Sequence, residues 1–334
     1  MEFQPRRTRP FPLSRRRLLL SVSAVATVGL TGCRGASIET VGPEPIASFP
    51  GLGDPPLLVD VAWLRDRQSG VDRDSLVILD LSDLPTYREG HVPGAIHAWW
   101  QDWIDLYSDI YGVLLGTRND VNARQDLLGR LGIDNDSTIV AYDADQNRYA
   151  ARMVWILRYL GVGRSSVLDG GLGAWRGAGE SSSKDGVGPR DGGPVTLTPA
   201  PDWTIPWDEM VDRYADPTLT IVDVRTDDEA DDDLNGLLHR GMIPNSIRLP
   251  WTNSLRDKAG RLKGPDALAA QFRDAGILPE DEVAVVARFG VEAGQTWLVL
   301  SLLGYERVRV FDRGWANWGR KDIDVPIAEL TPPR

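Results

Sequence analysis

The chain repeats one order of segments in its two halves, and this repeat constrains the fold more than any other feature of the sequence. Residues 76–80 read Leu-Val-Ile-Leu-Asp, and residues 219–223 repeat the same buried-strand pattern with a terminal aspartate. Residues 138–142 and 283–286 form a second matched pair of apolar runs, each followed by a helical pattern. Short apolar runs that alternate with helices predict an α/β fold with two tandem domains, each a mostly parallel sheet flanked by helices.

Segments of different composition divide the chain of 334 residues, which is long enough for two domains with separate cores. The interval 181–202 is rich in Ser, Gly and Pro and predicts a linker between the halves. We expect the first helix over residues 57–67. The predicted divisions, in chain order, are a signal peptide (1–32), a tether (33–54), a first domain (55–180), the linker (181–202), a second domain (203–326) and a tail (327–334).

The first 32 residues predict an export signal. The apolar run 18–30 is shorter than the roughly 20 residues that a membrane-spanning helix needs. The arginines that follow Ser14 resemble a twin-arginine signal. Residues 30–33, Leu-Thr-Gly-Cys, resemble the lipobox of bacterial lipoproteins, in which the cysteine is alkylated with diacylglycerol, although a plain signal peptide is the alternative. We therefore expect an exported protein that is lipid-anchored to the cell membrane through Cys33 and faces the periplasm or the cell exterior.

Charge and cysteine content exclude several classes of function. The formal net charge of −11 becomes −16 when residues 1–32, with six arginines and one glutamate, are removed. An acidic chain of this kind predicts no nucleic-acid partner. Cys33 is the only cysteine of the sequence, which also has three histidines, so a disulfide framework and a thiolate zinc cluster are excluded. We predict neither a metal nor a cofactor.

The loop that follows the apolar run 283–286 is the main candidate for a functional site. In a parallel α/β sheet such a loop lies at the carboxyl ends of the strands, where its amides and the next helix N-terminus face a bound anion. We expect the amides and Arg288 to bind a small oxyanion such as thiosulfate, sulfate or phosphate, and we expect Glu292 to oppose that binding. The loop residues are Ala287, Arg288, Phe289, Gly290, Val291, Glu292 and Ala293.

Together these motifs resemble the rhodanese family of thiosulfate sulfurtransferases, in its tandem-domain form. The resemblance covers about residues 55–325 and rests on four segments, 90–96, 223–225, 287–293 and 312–318. In that family the second-domain loop has a nucleophilic cysteine followed by Arg-x-Gly-Val-x-Ala, and this chain keeps the pattern with Ala287 in place of the cysteine. The resemblance also implies that the first domain is catalytically silent, with Asp143 at the matching nucleophile position.

The resemblance implies a reaction for which this chain has no nucleophile. A thiolate attacks the sulfane sulfur of thiosulfate and holds it as a persulfide, and the side chain of Ala287 cannot do so. We therefore expect a rhodanese-like envelope lipoprotein without persulfide chemistry, which binds an anion, another ligand or a protein partner. A decayed site in a scaffold protein is one alternative. The other is a working thiosulfate sulfurtransferase that passes sulfur to a thiophilic acceptor with a thiol supplied by a partner.

Several further residues carry narrower expectations. Asp223 and Arg225, at a strand end, are expected to support the loop. His91 is interpreted as part of a structural turn instead of a general base. The acidic run 227–233 lacks the spacing of a calcium loop and predicts a solvated surface loop. The twelve tryptophans are expected to fill cores between the domains.

Overall fold

The computed structural model describes residues 54–70, 74–103, 107–109, 112–114, 121–188, 192–193 and 195–333. The predicted signal peptide and Cys33 lie outside these residues, as does the tether except for Asp54. Within the described part of the chain, no helix combines the length and the hydropathy needed to cross a bilayer. Both sequence halves lie in one compact unit, Pro43–Arg334.

Each half is built on a parallel sheet. The strands of the first half are β1 (Leu58–Val59), β2 (Leu76–Asp80), β3 (Ile96–His97), β4 (Tyr107–Asp109), β5 (Gly112–Leu114), β6 (Thr138–Tyr142) and β7 (Ser165–Leu168). Those of the second half are β8 (Leu219–Asp223), β9 (Ile247–Arg248), β10 (Glu282–Val286) and β11 (Val308–Val310). The sheets have the orders β1-β7-β6-β2-β3 and β11-β10-β8-β9, with parallel pairing throughout, while β4 and β5 form a separate antiparallel pair.

The two sheets have equivalent orders, which confirms the predicted fold class. Strand β2 matches β8 and strand β6 matches β10, as the sequence repeat predicted. The counterpart of β1 in the second half is a single parallel bridge between Thr204 and Val310. Because all neighbours in each sheet are parallel, the loops after β6 and β10 lie at the carboxyl edge of their sheets.

Helices cover both faces of the sheets. In the first half they are α1 (Val61–Ser69), α2 (Leu84–Glu89), α3 (Val121–Arg130), α4 (Arg148–Tyr159) and α5 (Gly171–Gly177). In the second half they are α6 (Trp207–Arg213), α7 (Asp227–Asp231), α8 (Pro265–Asp274), α9 (Val291–Leu302) and α10 (Gly314–Trp318). Short 3₁₀ helices lie at Trp100–Trp103, Pro201–Trp203 and Trp251–Ser254.

The expected first helix over 57–67 is wrong at its start. Leu58 and Val59 form the edge strand β1, which pairs with β7, and the helix begins only at Val61. The Asp60 carboxylate accepts a hydrogen bond from the Trp63 amide at 2.7 Å and so caps the helix. A two-residue strand has no periodicity of its own, and its pairing is with residues far along the chain.

Helices α4 and α9 join the halves. They pack so closely that a Cβ atom added to Gly294 would lie 2.7 Å from the Arg152 Cα atom. Glycine at this position therefore permits the approach of the two backbones. One hydrophobic cluster runs from the first half to the second around these helices, and each half has a further cluster of its own. The elements that carry the two matched loops are thus packed against each other.

Candidate functional site

The loop after β10 is fixed to the first turn of α10. The Ala287 carbonyl accepts a hydrogen bond from the Trp315 amide, and the Arg288 carbonyl accepts one from the Ala316 amide, both at 2.9 Å. Ala287 is fully buried. The loop therefore has a defined conformation that does not depend on the side chain at position 287.

Gly290 determines how the loop enters α9. Its φ of 76° lies in the left-handed region, and an added Cβ atom would lie 2.7 Å from the Asp312 carbonyl oxygen. Both facts require glycine at this position. Helix α9 begins at the next residue, Val291, so its first amides face the end of β10 without intrahelical partners.

The matching loop in the first half shows what such a set of amides can bind. Asp143 Oδ1 accepts hydrogen bonds from the amides of Asp145 (2.7 Å) and Asn147 (2.9 Å). Its Oδ2 accepts from the amides of Tyr149 (3.0 Å) and Ala150 (2.9 Å). Burial raises the pKa of Asp143 to about 6, although the backbone hydrogen bonds from Ala150, Asp145 and Asn147 act in the opposite direction. The loop thus encloses a carboxylate that belongs to the chain itself.

Asp143 and Ala287 are structurally equivalent. Each directly follows a strand, since β6 ends at Tyr142 and β10 ends at Val286. Each loop ends in a left-handed residue before its helix, Asn147 in the first half and Gly290 in the second, although the second loop is one residue shorter.

The amides of the second loop have no internal carboxylate at position 287. Counted from the helix starts, the amides of Glu292 and Ala293 correspond to those of Tyr149 and Ala150, which bind Asp143. Alanine offers no side-chain acceptor to them. The first amides of α9 therefore lack the carboxylate that Asp143 provides at the matching position of the first half.

Arg288 is engaged within the second half. Its Nη2 lies 2.7 Å from Asp232 Oδ2, and its guanidinium lies over the Phe289 ring at 4.8 Å. A backbone hydrogen bond from Leu234 and the contact with Arg288 lower the pKa of Asp232. Arg288 was expected to bind an anion, whereas in the structure it is paired with Asp232. Anion binding by Arg288 would require it to leave this ion pair.

Glu292 places a buried carboxylate at the start of α9. Its Oε1 lies 3.3 Å from Nη1 of Arg148, which reaches across from α4. Burial, assisted by the nearby charge of Glu229, raises the pKa of Glu292 to about 7. Its own backbone N–H and Arg148 act in the opposite direction. Glu292 was expected to oppose anion binding. It can do so only when it is ionised, and its protonation changes near neutral pH.

Asp223 and Arg225 are connected to the loop through Trp315 of α10. The Arg225 guanidinium hydrogen-bonds both oxygens of the Asp223 carboxylate and the Gly241 carbonyl, and it lies 4.3 Å from the centre of the Trp315 ring. Trp315 in turn donates its amide to Ala287. This fully buried pair positions α10, and through it the loop.

Aromatic residues of the first half approach the loop. Trp100 stacks on Tyr149 at 4.7 Å, and both, like Phe289, pack against the buried cluster of Val291 and Ala316. Sequence reasoning missed Tyr149 and Arg148 as neighbours of the second loop. Only their place at the start of α4, opposite the matching turn of α9, identifies them.

Two other expectations are resolved by the contacts. His91 is buried, stacks on Tyr87 and has both ring nitrogens near backbone carbonyls, which fits a structural turn. The acidic run was expected to be a solvated loop, and this is wrong for its first part. Asp227–Asp231 forms α7, in which Thr226 and Glu229 form a capping box.

Comparisons with known proteins agree with this architecture. A family model described as a rhodanese-like domain matches residues 60–178 and again residues 207–321. A putative thiosulfate sulfurtransferase of Mycobacterium leprae is 31% identical over 285 residues, covering 81% of this chain and 97% of the relative. A thiosulfate sulfurtransferase of Azotobacter vinelandii is 28% identical over 274 residues, with the same coverage. The crystal structure of SseA from Escherichia coli, a 3-mercaptopyruvate sulfotransferase, has a TM-score of 0.67 and 25% identity, covering 78% of this chain and 98% of SseA.

Proposed function

The chain belongs to the rhodanese family, and from that premise we propose that it binds a small oxyanion at the Ala287 loop without persulfide chemistry. The observation that carries this proposal is the matching loop of the first half, where four backbone amides bind the Asp143 carboxylate. The second loop has the same position in its sheet and has alanine where that carboxylate would begin. An external oxyanion replaces the missing acceptor.

The absence of a thiol at this loop supports a binding function. Persulfide chemistry needs a thiolate beside the loop amides, and Ala287 supplies none. Cys33 is the only cysteine in the sequence and belongs to the predicted lipobox. Relatives of this chain are named thiosulfate sulfurtransferases, and thiosulfate is therefore the first oxyanion to test.

The binding test is isothermal titration of the purified full-length chain with thiosulfate, sulfate and phosphate at about pH 6, where Glu292 is mostly neutral. We expect heat of binding in the wild type and its loss in Ala287→Asp, because the new carboxylate takes the place of the ligand. Arg288→Ala should bind more weakly only if Arg288 leaves Asp232. The exposed Arg65, changed to alanine, is the matched control. If the wild type shows no heat of binding with any of the three anions, the scaffold alternative is favoured.

We further propose that the mature protein is an exported lipoprotein, tethered to the cell membrane by diacylglycerol on Cys33 and facing the periplasm or the cell exterior. The lipobox and the twin-arginine pattern support this, because they lie in register within the first 33 residues. Membrane fractionation tests it. Cys33→Ser should move the protein from the membrane fraction to the soluble fraction, and equal membrane recovery of both proteins would contradict the anchor.

A sulfurtransferase that uses a partner's thiol is the second candidate, favoured by the names of the relatives. In this function the loop would bind thiosulfate while a thiolate of another protein attacks its sulfane sulfur, so that the S–S bond of thiosulfate breaks, a persulfide forms on the partner and sulfite leaves. Incubation with thiosulfate and a small thiol distinguishes the two candidates. Sulfur transfer above the uncatalysed rate, and lost in Ala287→Asp, would support the second candidate over simple binding.

A further inference from the structure

Glu292 is the charged side chain that most directly controls the proposed oxyanion site. It is buried in the first turn of α9, and its own backbone N–H acts on its carboxylate. Oε1 lies 3.3 Å from Arg148 Nη1, whereas Oε2 is buried without a hydrogen-bond partner among the described residues. Glu292 therefore has one carboxylate oxygen without a donor among the described residues, and it lies in the first turn of α9, where the oxyanion is proposed to bind.

Charges on α4 and α7 act on this carboxylate. Arg148 on α4 attracts it, but Arg148 also binds Asp145 at 2.5 Å and so is shared between two carboxylates. Glu229 on α7 repels it. Other groups near the loop include the Tyr149 hydroxyl, whose pKa is raised, the Arg288–Asp232 ion pair and the Arg152–Asp312 ion pair. Among the described residues, Arg148 and Arg288 are thus already paired with carboxylates of the chain, and neither offsets both an ionised Glu292 and an anion.

An ionised carboxylate and an oxyanion cannot share these amides without strong repulsion, because the site is buried and weakly screened. A neutral carboxyl group removes the repulsion, and its O–H can donate a hydrogen bond to an oxyanion. We propose that oxyanion binding at the Ala287 loop is coupled to the uptake of one proton by Glu292, whose carboxyl group then donates a hydrogen bond to the bound anion. This inference rests on the proposed function.

The proton comes from solvent and goes to a Glu292 oxygen, so the complex gains one proton and one anion. Because burial raises the pKa of Glu292 to about 7, this transfer occurs close to neutral pH. The ligand class that fits is an oxyanion with acceptor oxygens on two sides, one set for the amides and one for the Glu292 carboxyl group. Glu292 then acts as the residue that makes affinity depend on pH.

Sulfate is the probe, since it keeps its charge across the range tested and any proton taken up belongs to the protein. Titrations of the full-length chain in buffers of different ionisation enthalpy give the number of protons bound per sulfate. We expect close to one proton at about pH 8 and close to none at about pH 5.5. Glu292→Gln should take up no proton and bind sulfate at least tenfold more tightly at the higher pH. Glu306→Gln, which changes an exposed glutamate, should behave as the wild type.

The outcomes separate this inference from the proposed function. Sulfate binding by the wild type at about pH 8 without proton uptake would overturn the inference and leave the binding function intact. Equal uptake by Glu292→Gln would do the same. No heat from wild type or variant at either pH would overturn the binding function itself, and the inference with it. The buffer series on the wild type decides the matter even if the variant does not fold.

Discussion

The burial of Glu292 predicts that neutralising this one side chain stabilises the protein, and only at high pH. The pKa of Glu292 rises from 4.5 to about 7 in the fold, chiefly through burial. A raised carboxyl pKa means that the folded state holds the proton more tightly than the unfolded state. Stability from this group is therefore greatest below the unfolded pKa and falls as pH rises from 4.5 to about 7.

The size of the effect follows from the two pKa values. Their difference corresponds to about 3 kcal/mol of lost unfolding free energy once Glu292 is fully ionised, at about pH 8. Glutamine has almost the same shape and stays neutral, so Glu292→Gln should recover most of this amount. At about pH 5 the gain should be less than ~1 kcal/mol, because Glu292 is already protonated in the folded wild type.

Urea denaturation of wild type and Glu292→Gln at these two pH values measures the difference. Glu306→Gln is the control for removal of a negative charge from an exposed position, and it should change stability little at either pH. A variant that is less stable than the wild type at the higher pH would contradict this prediction. It would show that the pair with Arg148 outweighs the cost of burying the charge.

Three more predictions follow from the two loops. Asp143→Ala should create an anion site in the first half, so that sulfate raises its melting temperature more than that of the wild type; equal shifts would contradict this. Gly290→Ala should lose at least ~1 kcal/mol more unfolding free energy than Gly94→Ala, since both have positive φ but only Gly290 lacks room for a Cβ. Ala287→Cys combined with Glu292→Gln should react with iodoacetamide at pH 7 faster than Ala287→Cys alone, because a buried carboxylate raises a neighbouring thiol pKa. Equal alkylation rates would place Glu292 away from position 287.

The sequence repeat predicted the fold because its pattern extends over many residues in each half. The matched runs that became β2, β6, β8 and β10 are long enough to show their pattern without any contact information. The edge strand β1 is two residues long and exists only through its pairing with β7, so periodicity could not reveal it. Long elements were therefore predicted correctly and the shortest one was not.

The position of the loop was predicted from the sequence, but its ion pairs and the pKa of Glu292 were not. Arg288 had the residue type of an anion ligand, and only the structure shows that it pairs with Asp232, on the segment after α7. The contact between Arg148 and Glu292 joins residues that are 144 positions apart. Such contacts follow from the packing of α4 against α9, and no local pattern encodes them. The charge on Glu292 was noticed, whereas its near-neutral pKa depends on burial.

We propose that this member of the rhodanese family has no sulfurtransferase turnover because its loop has alanine at position 287. A thiosulfate:cyanide assay on the full-length chain and on Ala287→Cys tests it directly, with thiocyanate release as the readout. We predict no release by the wild type and measurable release by the variant, since the thiolate would be placed at the loop amides. Thiocyanate release by the wild type that is lost when the 287–293 loop is changed would contradict the account.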